Sequence, residues 1–135
     1  MIERLVILVG GGLLVVLAYS LLRRWQLRRA VKAAPGDPLL DAWRPGIPAI
    51  VYFSSPLCAP CKIQQWPALQ KVLAEVGEAA VQVIEVDALE QPEAARRWGV
   101  LSVPTTFILD RQGCPREVNI GVAEPTKLKH QLQAL

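Results

Sequence analysis

Two cysteines separated by two residues are the clearest chemical feature of this 135-residue chain. Cys58 and Cys61 lie in the stretch SSPLCAPCK. Such a pair can form a reversible disulfide, hold a metal ion or close a static disulfide loop. Cys114 and His130, the candidate partners for a zinc ion, are isolated residues on different predicted elements and lack the spacing of a zinc module. Because a static bridge over so short a loop would stabilise little, the sequence favours a redox pair.

The residues around the pair place it between a strand and a helix. The apolar run Ala49–Phe53 predicts a strand that ends shortly before Cys58. From Pro60 to about Val76, apolar residues recur at three- and four-residue steps, as they do in a helix. Unpaired amides and the positive end of the helix dipole favour an anion at a helix N-terminus. We therefore expect Cys58 to be a thiolate, the species that attacks a disulfide.

The apolar periodicity of the remaining chain predicts the order β-α-β-α-β-β-α. The expected strands are Ala49–Phe53, Val81–Val86, Thr105–Leu109 and Arg116–Ile120, and the expected helices are Pro60–Val76, Pro92–Trp98 and a last one from Pro125 to the end. Strands joined through a helix are expected to be parallel with a right-handed crossover, and the last two strands to form an antiparallel hairpin. The predicted fold class is α/β, with a small mixed four-stranded sheet and helices on both faces.

An apolar segment precedes this domain. Leu5–Leu22 contains no charged residue and would span on the order of 27 Å as a helix, enough to cross a bilayer. It ends directly at Arg23 and Arg24, whereas a cleaved signal peptide has a shorter apolar region that ends in a small-residue cleavage site. We therefore expect a retained single-pass anchor with a basic juxtamembrane segment at 1–33, a tether rich in proline and glycine at 34–48, and a folded domain at 49–135.

The distribution of charge argues against nucleic-acid binding, although the sequence pI is about 9.0. The first 34 residues carry a net charge of about +5, and the remainder about −2. The positive charge therefore belongs to the membrane edge, where it meets anionic headgroups, and the domain offers no basic groove. Because Lys and Arg beside a membrane span tend to stay cytoplasmic, the domain is expected on the cytoplasmic side, with the extracytoplasmic side as the alternative.

Two motifs together give the domain a family resemblance. A strand is followed by Cys-Ala-Pro-Cys, and the stretch WGVLSVPTTFILD places Val103-Pro104-Thr105 directly before a later strand. A glycine, Gly121, follows the fourth predicted strand. From Ala49 to Leu135 the chain resembles the thioredoxin family. The resemblance implies a thioredoxin-like fold with a trimmed core, since the family's first strand and helix have no evident counterpart except the tether.

The resemblance also implies an activity and its partners. It indicates a thiol-disulfide oxidoreductase of the protein-disulfide reductase type, in which Cys58 attacks and Cys61 resolves. It implies that a cis bond precedes Pro104, that this proline faces the cysteine pair, and that the main chain of Val103 pairs with an extended substrate. The residues expected to position substrate are thus Pro104, Val103, Ala59 and Pro60. The expected partners are protein dithiols or disulfides and an upstream thiol electron donor; a monomer without metal or organic cofactor is expected.

The chain departs from the family pattern beside the site. Leu57 stands where the family usually has tryptophan, so an aromatic wall is either missing or supplied by Trp98 or Trp66. Ala59 replaces the family's glycine, which leaves the choice of substrate open. A non-catalytic adaptor that binds a membrane-protein partner is the alternative function.

Proton transfer also departs from the family pattern. Tyr52 occupies the position of the family's buried aspartate, and Val83 that of the matching lysine. The proton of Cys61 is therefore expected to pass to water, to Tyr52 or to the substrate. Glu85 and Asp87 are read as charges that face solvent or end a strand.

Overall fold

A computed structural model describes all of residues 1–135. A long helix and a short 3₁₀ turn precede four strands and three further helices. In chain order these are α1 (Ile2–Ala33), the 3₁₀ turn Pro38–Leu40, β1 (Ala49–Ser54), a π-helical turn (Cys61–Gln65), α2 (Trp66–Val76), β2 (Gln82–Asp87), α3 (Pro92–Arg97), β3 (Thr105–Leu109), β4 (Pro115–Ile120) and α4 (Pro125–Gln133). The elements agree with the sequence prediction to within one or two residues, apart from the length of α1 and the π turn.

The four strands form one mixed sheet in the order β2-β1-β3-β4. β1 is parallel to β2 and antiparallel to β3, and β3 pairs antiparallel with β4 in the expected hairpin. Every residue of β1 is buried, which explains its unbroken apolar sequence.

The direction of β3 differs from the expectation that a strand reached through a helix runs parallel to its predecessor. α3 has only six residues, and the chain between β2 and β3 ends at the edge of the sheet where it began. β3 therefore starts at the edge where β1 ends, with Thr105 paired to Phe53.

Two apolar clusters lie on opposite faces of the sheet. One contains Phe53, Phe107 and Trp98, whose rings meet in tilted and edge-on contacts at centroid distances of 5.2–6.2 Å. The other contains Tyr52 and Cys61 and is covered by α2 and α4. Both faces are thus closed, as the predicted three-layer arrangement requires.

α1 joins the two predicted parts of the chain, because its last three turns pack on the domain. Gln26 and Ala30 are fully buried, and the Gln26 side-chain amide donates a hydrogen bond to the Gly99 carbonyl at 3.0 Å. Gly99 has a φ of +71°, and a Cβ there would meet Trp25 and Arg29 of α1 at 3.3 Å, so both backbone conformation and space require glycine. The pattern that assigned residues 1–33 to an anchor alone missed this packing.

The first part of α1 makes no such contacts. It is long and apolar enough to cross a membrane, and its apolar window is not buried against the rest of the protein. By its length and composition, the segment has the properties of a membrane span and also those of a signal sequence.

The segment expected as a tether is also anchored to the domain. Asp37 is 5% exposed, and its carboxylate accepts hydrogen bonds from the Leu39 amide, from two nitrogens of Arg97 and from Nε1 of Trp98, at 3.0–3.1 Å. The division into 1–33, 34–48 and 49–135 remains a prediction. Within the predicted tether, the buried carboxylate of Asp37 holds the chain against the domain.

Candidate functional site

The cysteine pair lies at the start of the helical segment that follows β1. In the π turn the amide of Trp66 bonds to the carbonyl of Cys61, five residues earlier. Pro67 explains this turn, since proline has no amide to continue the α-helical ladder. Widened turns of this kind recur at functional sites, and here one begins at the second cysteine.

Cys58 and Cys61 form a disulfide with their Cα atoms 5.3 Å apart. Their environments differ: Cys58 is half-buried, whereas Cys61 is 1% exposed. The Cys61 amide donates a hydrogen bond to Sγ of Cys58 at 3.2 Å. An amide directed at that sulfur stabilises negative charge on it once the disulfide is reduced.

Tyr52 lies on the face of β1 that carries the second apolar cluster, and its hydroxyl donates a hydrogen bond to the Cys61 carbonyl at 3.0 Å. Trp66 stacks against its ring at a centroid distance of 6.3 Å. Of the two tryptophans considered, Trp66 lines the cavity beside Cys61, whereas Trp98 is fully buried in the cluster on the opposite face. Burial, together with the nearby charge of Glu85, raises the pKa of Tyr52 to about 12, so this hydroxyl stays protonated at neutral pH.

A cavity of about 680 Å³ opens beside the cysteines and carries carboxylates. Its lining includes Cys61, Tyr52, Trp66, Lys62 and Glu85. Glu85 pairs with Tyr52 across the parallel strands, and the Ser54 hydroxyl donates a hydrogen bond to its carboxylate at 3.2 Å. Glu85 is exposed, as the sequence reading of a solvent-facing charge predicted. Only the strand register, which the sequence does not give, places it in the cavity of Cys61.

Proton removal from Cys61 gives the first prediction. Glu85→Gln should slow resolution of a mixed disulfide about tenfold at neutral pH, less than a general base in direct contact contributes, because water must carry the proton across the cavity. Stopped-flow measurement of product thiol release would show it. The difference should shrink above a pH of about 8.5, where an ordinary thiol ionises unaided.

Glu93→Gln is the matched control for that experiment. Glu93 is exposed on α3 and does not line the cavity, so its substitution should leave resolution unchanged. Equal slowing by both substitutions, or a pH-independent effect of Glu85→Gln, would contradict a proton-transfer role for Glu85.

Val103 and Pro104 lie at the same edge of the sheet as the disulfide. The peptide bond between them is cis. Val103 packs against the cluster that contains Cys61 and that Cys58 also contacts. The amide and carbonyl of Val103 make no hydrogen bond within the protein. We call the edge where β1 ends, β3 begins and β4 ends, with Phe53, Thr105 and Ile120 in register, the redox edge.

One residue that supports this edge gave no signal in the sequence. Gln65 is fully buried, its side-chain amide donates to the Ala123 carbonyl at 3.2 Å, and its side-chain oxygen accepts from the Ala123 amide at 2.8 Å. These two hydrogen bonds tie the helix that bears Cys61 to the loop after β4. A glutamine in a helix of mixed composition does not reveal such a partner 58 residues away.

The other residues considered in the sequence lie away from the pair. Cys114 is a half-buried free cysteine at the β3–β4 hairpin, and its amide donates to the Asp110 carboxylate at 2.9 Å. His130 is exposed on α4. No three or more of the side chains of His, Cys, Asp and Glu lie close enough together to hold a metal ion.

A disulfide at a helix start, with a cis-proline loop at the same edge of a mixed sheet, defines a class of thiol-exchange proteins. The thioredoxin family model matches residues 43–134. Thioredoxin from Bacillus subtilis is 34% identical over 83 residues, which cover 62% of this chain and 73% of that protein. Thioredoxin from Mycolicibacterium smegmatis is 35% identical over 86 residues, which cover 63% and 75%. The chain belongs to the thioredoxin family.

Solved structures agree with this assignment. Oxidised mitochondrial thioredoxin 3 from Saccharomyces cerevisiae superposes with a TM-score of 0.56 at 27% identity, covering 65% of this chain and 78% of that one. Thioredoxin from Fasciola hepatica gives 0.57 at 26% identity, covering 67% and 82%. With its cysteine pair in a disulfide, the chain is a thiol-disulfide oxidoreductase. Enzymes of this family act on protein disulfides with thiol reductants, and the cysteine pair itself carries the electrons.

Proposed function

We propose that this protein is a membrane-anchored disulfide reductase in which Cys58 attacks and Cys61 resolves. These roles of attacking and resolving cysteine are assigned from the difference in exposure between the two residues. Cys58 is half-buried at the helix start with an amide directed at its Sγ, whereas Cys61 is buried beneath it. A large substrate disulfide reaches the first sulfur and not the second.

The proposed reaction consists of two successive thiol-disulfide exchanges. The Cys58 thiolate attacks a substrate disulfide, forms a new S–S bond and releases one substrate thiolate. Cys61 then loses its proton, attacks Sγ of Cys58 and releases the second substrate thiolate. Two electrons have moved to the substrate, and Cys58–Cys61 is left as the disulfide, which an upstream thiol donor must reduce.

Substrate positioning by the loop before β3 is part of the proposal. The unpaired amide and carbonyl of Val103 are available to an extended substrate segment, as in the addition of a strand to a sheet edge. Pro104 is buried behind them, while Ala59 and Pro60 are exposed beside the attacking sulfur. These four residues border the path by which a substrate strand reaches Cys58.

Membrane anchoring is supported by the way α1 is used. A signal peptide is removed, but the same helix that carries the apolar segment also supplies the buried Gln26 and Ala30 to the domain. Arg23 donates hydrogen bonds to the Val118 carbonyl and the Glu117 carboxylate at 3.2 and 3.0 Å, directly after the apolar segment. The anchor is proposed to stay attached, in contact with lipid.

Insulin reduction tests the activity. The full chain in detergent micelles, with dithiothreitol as reductant, should precipitate the insulin B chain faster than dithiothreitol alone. Cys58→Ser should abolish the acceleration, and Cys114→Ala, the control at the free cysteine, should retain it. If the unmodified chain gave no acceleration, the adaptor function would replace the enzyme.

Sidedness follows from the basic residues after the span and gives a second prediction. The domain is proposed to face the cytoplasm. Alkaline phosphatase, which is active only outside the cytoplasm, should therefore be inactive when fused after Leu135, while green fluorescent protein fused there should fluoresce. The reverse pair of results would place the domain on the extracytoplasmic side.

A further inference from the structure

The direction of α1 relative to the sheet carries information on where the redox edge points. At the end of α1, Val31 and Ala34 line a cavity with Gly113–Pro115, at the hairpin between β3 and β4 and thus opposite the redox edge. Eleven residues before Ala34, Arg23 binds Val118, only two residues before β4 ends at Ile120. Traced from Ala34 back toward its N-terminus, α1 therefore approaches the redox edge.

The contacts of α1 with the chain around α3 follow the same order. The Arg29 guanidinium donates to the carbonyl of Arg96, and the Gln26 amide donates to that of Gly99. From Gly99 the chain returns to the redox edge, where β3 begins at Thr105. As α1 is traced toward its apolar segment, its partners thus pass from Arg96 to Gly99, which is nearer in sequence to β3.

The apolar segment leaves the domain on the side of the redox edge. Leu22, the last residue of the apolar segment, directly precedes Arg23. Beyond Val118, which Arg23 contacts, β4 continues for two more residues, or about 7 Å, in the direction of the membrane. The headgroup layer on each side of a bilayer is on the order of 5–8 Å thick. The loops at the redox edge therefore reach headgroup depth when Leu5–Leu22 spans the bilayer.

The exposed apolar side chains outside α1 have the distribution that this placement requires. The four most exposed large ones are Leu57, Ile63, Leu101 and Leu89, at 87%, 72%, 67% and 59%. Leu57 precedes Cys58, Ile63 follows Cys61, Leu101 precedes the Val103–Pro104 loop, and Leu89 follows β2. Exposed apolar side chains around a thiol-exchange site help any such protein to bind substrates, but the direction of α1 places these four on the side of the bilayer.

We propose that the redox edge faces the bilayer in which α1 is anchored, with Leu57 and Leu101 in its interface, and that the enzyme serves cysteine pairs held close to that surface. This inference rests on the proposed membrane anchoring and narrows the substrate class. Clients are proteins whose disulfide lies within a short reach of the headgroups, such as those with a cysteine pair directly beside a membrane span. The rigid helix places the site there without a search by a flexible tether.

Fluorescence quenching tests the orientation. In full-length chain lacking its own cysteines through Cys58→Ser, Cys61→Ser and Cys114→Ala, a single cysteine from Leu101→Cys carries a bimane label in vesicles that contain headgroup-quencher lipid. Arg111→Cys, exposed in the opposite hairpin, is the matched control. The label at 101 should be strongly quenched and the label at 111 little. Equal quenching, or stronger quenching at 111, would overturn the proposal.

Substrate reach tests the consequence. The unmodified chain in vesicles is given a lipid-linked peptide disulfide on either a short spacer of about two residues or a long polymer spacer. An edge that faces the membrane should reduce the short-spacer substrate at least as fast as the long-spacer one. Reduction of the long-spacer substrate alone would show that the edge points away and would overturn the proposal.

Two controls separate failure of this inference from failure of the proposed function. Insulin reduction by the same preparation in detergent reports activity, and resistance to carbonate extraction reports anchoring. Activity and anchoring with equal quenching at 101 and 111 would overturn only the orientation. Loss of insulin reduction would overturn the proposed activity, and the quenching pair would still decide the orientation.

Discussion

Cys61→Ser should accumulate covalent adducts with client proteins, whereas Cys58→Ser should accumulate none. With Cys61 replaced, the Cys58 thiolate still attacks and forms the mixed disulfide, but the group that releases the client is absent. With Cys58 replaced, the remaining sulfur is 1% exposed and beyond the reach of a folded client. Both variants carry Cys114→Ala, which removes the free thiol. Non-reducing gels of membranes should show dithiothreitol-sensitive bands for Cys61→Ser only.

The variant with both cysteines replaced is the control for that experiment. The gel bands should disappear when Cys58→Ser is added to Cys61→Ser, since the attacking thiolate is then gone. Equal trapping by the two single variants would mean that both sulfurs reach clients and that burial does not set their roles. Trapping by neither would favour the adaptor function.

Asp37→Ala should destabilise the domain by about 3 kcal/mol, the largest effect expected from a residue outside the site. Its carboxylate accepts four hydrogen bonds, and its loss leaves Nε1 of the fully buried Trp98 without a partner. An unsatisfied buried donor costs about 1–3 kcal/mol, and loss of charged bonds to half-exposed Arg97 adds to that. Urea denaturation in detergent, followed by tryptophan fluorescence, measures the free energy of unfolding.

Asp41→Ala is the control, because Asp41 is exposed in the same segment and its carboxylate makes no hydrogen bond. It should change the stability by less than about 0.5 kcal/mol. A comparable loss in both variants would mean that the segment, and not the Asp37 carboxylate, is responsible.

The contribution of Asp37 should also depend on pH. Burial raises the pKa of this carboxyl, but the bonds from Arg97, the Leu39 amide and Trp98 outweigh burial and hold the pKa below its ordinary value of 3.8. A folded-state pKa below the unfolded one gives stability that is complete above the unfolded pKa and is lost as the pH falls through the folded one. The difference between wild type and Asp37→Ala should therefore be constant from pH 7 to 5 and shrink below about pH 4. A difference that grew on acidification would contradict this assignment.

The sequence predicts the strands and helices well because each carries its own local signal. β1 is a continuous apolar run, and α2 repeats apolar residues at helical spacing. The redox pair could be recognised for a similar reason, since Cys58, Cys61 and the Val103–Pro104 dipeptide sit at fixed positions next to those elements. Local patterns and short spacings are what a single sequence reports reliably.

What the sequence did not reveal depends on contacts between distant residues. Glu85 enters the cavity of Cys61 only through its register with Tyr52, and Gln65 meets Ala123 only once α2 has packed beside the loop after β4. A buried carboxylate at Asp37 could not be expected in a stretch of prolines and glycines. Its partners, Arg97 and Trp98, lie about 60 residues further along the chain.

The packing of the end of α1 on the domain was not predicted, for a different physical reason. A stretch rich in basic residues follows the apolar one, and this pattern is typical of the end of a membrane span. The basic residues are Arg23, Arg24, Arg28, Arg29 and Lys32. The few residues on the buried side, Gln26 and Ala30, are not strongly apolar. Small and amide side chains pack closely against a sheet without producing a hydrophobic stripe, so periodicity does not detect them.

The proposed anchor is continuous with the turns of α1 that pack on the domain, so a cut that releases an intact domain must fall before Gln26. A protease that cut between Gln26 and Ala33 would detach Gln26 from the domain and leave the Gly99 carbonyl without its side-chain donor. Cleavage within those turns is therefore expected to destabilise the domain, because the proposed anchor and the fold share one helix.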